Sequence, residues 1–161
     1  METLDTLKLL SQLVRRLRSE FRVGEWSRKP IEILRIELSA HTRQASCDWL
    51  IRPVDSWDQS MPEPARSRLQ SQQVLHDALA MRRMIFRRFS ELRSIELRAF
   101  RDAPGGQQEL VLAGTVHRAD DVPESVPSLA MRAHLSGFQF MQVDGVLSAL
   151  PYEGMPYSHR A

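Results

Sequence analysis

The stretch from Val74 to Arg101, VLHDALAMRRMIFRRFSELRSIELRAFR, constrains this chain more than any other because its hydrophobic period changes partway along. At about 100° per residue, Val74, Leu75, Ala78, Leu79, Met81, Ile85, Phe86 and Phe89 gather in one sector, with His76, Arg83 and Arg87 opposite. From Ile95 the period drops to two, and Ile95, Leu97 and Ala99 alternate with Glu96, Arg98 and Phe100. An amphipathic helix thus feeds into a half-buried strand. Its apolar sector is wider than a coiled-coil seam, which suits packing on a sheet. Arg82 falls inside that sector, where an isolated guanidinium is costly. The expectation is that Arg82 snorkels past the edge of the sheet. The alternative is a buried pair with Asp48 or Glu96.

The same two periods organise the rest of the chain. Leu4, Leu7, Leu10, Leu13, Val14, Leu17 and Phe21 have helical spacing and predict a first helix over 3–22, closed by Gly24. Leu34, Ile36 and Leu38 then alternate with Arg35 and Glu37 in a first strand. In a second strand over 45–52, Cys47, Trp49 and Ile51 face inward while Ser46, Asp48, Leu50 and Arg52 face outward. The short connection at 40–44 makes this pair an antiparallel hairpin. After the central helix and its strand, the turn DAPGGQ leads into a strand carrying Leu110, Leu112 and Val116. A short helix follows, with Pro127 in its first turn and Gly137 at its end. Phe138 and Phe140 predict a last strand, and Asp144-Gly145 a tight turn beyond it.

These elements predict an α+β domain of two layers, in the order α-β-β-α-β-β-α-β. A mainly antiparallel sheet of four or five strands carries two long helices on one face. Residues 1–150 are expected to form that single domain and 151–161 a poorly ordered tail. No apolar run approaches the roughly 20 residues of a membrane helix, so no membrane association is expected. The N-terminal arginines follow the apolar residues, the wrong order for a signal peptide. Cys47 is the only cysteine, which excludes an internal disulfide and a multi-cysteine metal site. A reducing, cytoplasmic location is expected.

Motifs for chemistry are sparse. The five histidines lack metal-ligand spacing, there is no HExxH or GxSxG, and Gly105-Gly106 sits in a turn. No metal or cofactor is therefore expected. The net charge of +2 is uneven: residues 1–101 hold 19 Lys/Arg against 13 Asp/Glu, and 102–161 hold 3 against 7. That imbalance leaves three readings open. The first is a non-enzymatic interaction or accessory protein that self-associates as a homodimer or binds a protein partner through the outer sheet face, at Leu50, Arg52, Arg98 and Phe100. The second is an RNA- or DNA-binding module with an arginine strip made from Arg15, Arg18, Arg22, Arg83 and Arg87. The third is a small enzyme with a site on the proline-rich 53–64 loop, at Asp55, Trp57 and Asp58.

Overall fold

The computed structural model describes residues 7, 8, 10–15, 31–39, 41–54 and 56–151, the side chains of Ser56 and Trp57 excepted. Its centre is a four-stranded sheet in the order β1-β2-β3-β4, with β1 at Glu32–Ser39, β2 at Gln44–Leu50, β3 at Ser94–Asp102 and β4 at Gln108–His117. A 26-residue helix, α1 (Glu63–Arg88), joins β2 to β3. A short helix, α2 (Leu129–Leu135), and a two-stranded ribbon, β5 (Met141–Val143) with β6 (Val146–Ser148), complete the chain order. The fold is α+β. Residues 7–8 and 10–15 are helical, within the span read as a first helix. The remainder of that span, with Arg18, Arg22 and Gly24, lies outside the described residues, as do Asp55 and the tail from 152 onward.

β1 pairs with β2 antiparallel and β3 with β4 antiparallel, as their short connections require. The central pair, β2 with β3, is parallel, because α1 carries the chain back to the end at which β2 began. The sheet is therefore mixed. The last expected strand also takes another form: Phe138 and Phe140 lie outside any strand, and β5 and β6 make a separate ribbon. Asp144 and Gly145, at φ 53° and 79°, form its turn in the left-handed conformations that Asp-Gly tolerates. Arg68 Nε donates to the Asp144 carbonyl (3.0 Å) and Ser71 Oγ accepts from Leu147 N (2.9 Å), so the ribbon is anchored to the first half of α1.

One core cluster lies between the sheet and α1. Cys47, Trp49, Ile95, Leu97, Ala99 and Leu112 enter it from the sheet, and Val74, Leu75, Ala78, Met81, Ile85 and Phe86 from the helix. Leu13 is also buried there. Gln12 Oε1 accepts from Arg88 Nη2 (2.6 Å), which places the N-terminal helical segment beside the end of α1. The C-terminus of α1 is closed by a residue remote in sequence. Arg118 donates to the carbonyls of Phe86, Phe89 and Leu92 at 2.7–3.0 Å, and its guanidinium covers the Phe86 ring at 4.6 Å.

Arg82 neither escapes into solvent nor meets a buried carboxylate: its side chain is only 11% exposed. Its Nη2 donates to the carbonyls of His117 and Asp120, at 2.9 and 3.0 Å, and Asp121 is 3.8 Å away. Neither Asp48 nor Glu96 is its partner. A buried ion pair does exist, between two residues the periodicity placed elsewhere. Arg52 donates from Nε and Nη2 to both carboxylate oxygens of Asp77, at 2.9 and 2.7 Å, with the two side chains 3% and 2% exposed. β2 ends at Leu50, so alternation no longer governs Arg52, and its side chain passes to the helix side.

Candidate interaction surface

The registers place the outward side chains of the four strands in transverse rows. One row is Ser39, Gln44, Ser94 and His117, and the next is Glu37, Ser46, Glu96 and Thr115. The third is Arg35, Asp48, Arg98 and Ala113, and the fourth is Glu32, Leu50, Phe100 and Leu110. The outer face therefore grades from hydroxyl and amide groups, through carboxylates, to a cationic row and then an apolar one. The first two rows, His117 excepted, line a concavity of about 480 Å³.

The third row organises the face. Asp48 is fully buried and accepts two hydrogen bonds from Arg98, Nε to Oδ1 at 2.8 Å and Nη2 to Oδ2 at 2.7 Å. Arg35 Nε approaches the same carboxylate at 3.4 Å from the other side. Each arginine also meets a glutamate on its own strand, Arg35 with Glu37 at 3.2 Å and Arg98 with Glu96 at 3.9 Å. A chain of five charges, Glu37, Arg35, Asp48, Arg98 and Glu96, thus crosses β1, β2 and β3. Two-point Arg98–Asp48 contact fixes direction as well as distance, and the flanking pairs are exposed enough that water screens them.

Of the four residues assigned to an interaction surface, Leu50, Arg98 and Phe100 share the outward parity of the sheet, with Leu50 opposite Phe100, and Arg52 does not join them. Phe100 is fully buried, Arg52 is turned to the helix, and Leu50 is half-buried. Arg98 remains on the face, in the network above. The placement of Arg52 on the outer sheet face is thus corrected. Phe100 keeps the expected parity but is covered, and Arg52 leaves the strand before its parity applies.

Of the arginine strip, Arg15 and Arg87 are exposed, and Arg83 is tied to Glu124 at 3.1 Å. Asp77, on the same helix, lies inside the molecule. Burial raises its carboxyl above the ordinary 3.8, while the hydrogen bonds and charge of Arg52 pull it down. On the proline-rich loop, Asp58 is half-buried in a 3-10 turn, Ser56–Ser60. Burial, reinforced by the charge of Asp48, pushes the Cys47 thiol far up, so it stays protonated and inert as its inward position implied.

Two features had no signal in the reading of faces. The first is the treatment of the sheet's edges. β4 is sealed: Ala113 and Gln139 exchange backbone hydrogen bonds at 3.1 and 2.6 Å, and Leu150 N donates to the Leu110 carbonyl at 2.7 Å. Gly114 makes this possible, because a Cβ there would collide with the Gly137 carbonyl and lie 2.9 Å from Phe138 Cα. β1, at the other edge, has no second backbone partner among the described residues. Its Ile33, Leu34, Ile36 and Leu38 are only half-buried. The second feature is an exposed apolar set on the C-terminal unit, Met131 and Leu135 one turn apart on α2 and Met141 and Val143 on one side of β5. No helix among the described residues is long and apolar enough to cross a membrane. Comparison with protein-family models, with curated proteins and with solved structures finds no match to this chain.

Proposed function

We propose that this chain is a non-enzymatic interaction protein that associates with copies of itself. The observation that supports the reading is the unequal treatment of the sheet's edges. An open edge presents unpaired N–H and C=O groups, a template for pairing with another chain. Here β4 is closed by two separate backbone contacts, whereas β1 is an eight-residue strand left with one neighbour among the described residues. Light scattering from nanomolar to high micromolar concentration tests the reading, with mass expected to rise to a dimer. A constant monomer mass over that range would refute it.

A second reading, nucleic-acid binding, draws support from the Arg88–Gln12 contact, which sets the segment carrying Lys8 and Arg15 beside the end of α1 where Arg87 is exposed. Binding of this kind falls steeply with salt. Replacing Arg15 and Arg87 with Gln should weaken it on any sequence, and an affinity for RNA or DNA indifferent to salt and to those changes would remove the reading.

A further inference from the structure

Not every way of pairing β1 with a second β1 is chemically equal. Antiparallel strands related by a twofold axis through the sheet place residues of the same face opposite one another. If the axis passes through Arg35, two arginines stand directly opposed; through Glu37, two glutamates do. Like charges in that position are destabilising. If the axis passes through Ile36, Arg35 lies opposite Glu37 of the partner subunit and Glu37 opposite Arg35 of the partner subunit. On the other face Ile36, half-buried in the lone chain and packed against its core, meets its own copy. The axis through Ile36 is the one of the three that satisfies both faces.

We propose that β1 pairs antiparallel with β1 of a second copy about a twofold axis through Ile36, joining two four-stranded sheets into one of eight strands. This rests on the reading of the chain as self-associating and specifies the interface. Both copies of α1 then lie on the same side. The irregularity between Ile33 and Arg35 takes Leu34 out of regular pairing, so regular contact starts at Arg35, the interface is short and the dimer weak. Assembly stops at two because the β4 edge of each copy is sealed and an isologous contact closes on itself. Arg35 and Glu37 already touch within one chain at 3.2 Å with side chains 38% and 63% exposed, so each can exchange its partner without desolvating a new charge.

Two substitutions test the register. An Ile36→Cys pair would have Cβ atoms about 4.5–5.5 Å apart across the axis, and mild oxidation or a short bifunctional maleimide should couple the copies. A Leu38→Cys pair would be offset by four residues, roughly 13 Å at strand spacing, and should not couple. Cys47, being buried, stays silent in both. Glu37→Lys places like charges in both cross-strand positions and should weaken the dimer about tenfold or more, with the thermal transition of the diluted monomer unchanged. Equal coupling at 36 and 38, or a dimer indifferent to Glu37→Lys, would overturn the edge pairing. Dissociation by Leu135→Glu with Val143→Glu, with Glu37→Lys having no effect, would move the interface to the C-terminal unit. Self-association would then stand and this inference fall. A wild-type protein that stays monomeric throughout refutes both.

Discussion

Removing one member of the Arg52–Asp77 pair should harm the fold more than removing both. The side chains are 3% and 2% exposed and share two hydrogen bonds of 2.9 and 2.7 Å, so either group left alone remains out of water. Asp77→Leu removes the carboxylate that binds both Nε and Nη2 of a buried guanidinium with no accessible neutral form; the cost should be about 3–5 kcal/mol, or about 6–20 °C in Tm for a chain of this size. Arg52→Met leaves a buried carboxylate without its counter-ion, though still hydrogen-bonded by Gln73. That group can take up a proton, and burial already raises its pKa, so the loss should be smaller. The sign with pH follows from linkage. A native carboxyl with a raised pKa binds its proton more tightly than the unfolded one. Stability from that group is fully present below the ordinary 3.8 and is lost as pH rises through the folded value. In Arg52→Met the opposing Arg52 charge is gone, so this loss should extend to higher pH than in the wild type. The double variant Arg52→Met with Asp77→Leu should recover to within about 1–2 kcal/mol of wild type, since apolar replacement of a buried pair is often near neutral. Urea unfolding followed by circular dichroism at several pH values measures all four proteins. The reasoning fails if Asp77→Leu costs less than about 1 kcal/mol, as an exposed pair would, or if the two single losses simply add.

Three other substitutions or probes test particular contacts. Gly114→Ala should cost about 1–3 kcal/mol, because the new Cβ meets backbone at Gly137 and Phe138 and not a side chain that can swing away; faster amide exchange at Gln139 would locate the damage at the sealed edge. Arg118→Ala should cost about 1–2 kcal/mol through three lost carbonyl contacts at the end of α1. Arg118→Lys should recover less than half of that, since an ammonium cannot span the same acceptors; full recovery would show that charge alone matters. Cys47 should ignore thiol reagents at pH 8 in the native protein and react only on unfolding, because burial raises its thiol and blocks access. Rapid native labelling would contradict the packing around β2.

What could be read before folding, and what could not, divides by how far a local rule extends. The helical period found α1 and its buried stripe, and alternation assigned Cys47 and Trp49 inward and Arg35, Glu37, Asp48 and Arg98 outward. Those rules describe a residue's direction, however, and not what lies above it. Phe100 has the expected outward parity and is nonetheless fully buried, which alternation by itself does not foretell. Alternation also holds only while the strand lasts: carried two residues beyond Leu50, it sends Arg52 to the wrong layer. Asp77 escapes the local rules for a related reason, since an aspartate at the margin of an apolar stripe looks water-facing until its counter-ion, 25 residues earlier, is known. The edge-pairing inference draws on the side of this division that local rules serve well. Arg35, Ile36 and Glu37 lie inside β1 and in regular register with Asp48, Cys47 and Ser46, so their faces follow from the backbone itself. Whether a second strand can lie beside them then depends on two quantities local to that strand, the charge opposite each residue and the freedom of its outer N–H and C=O groups.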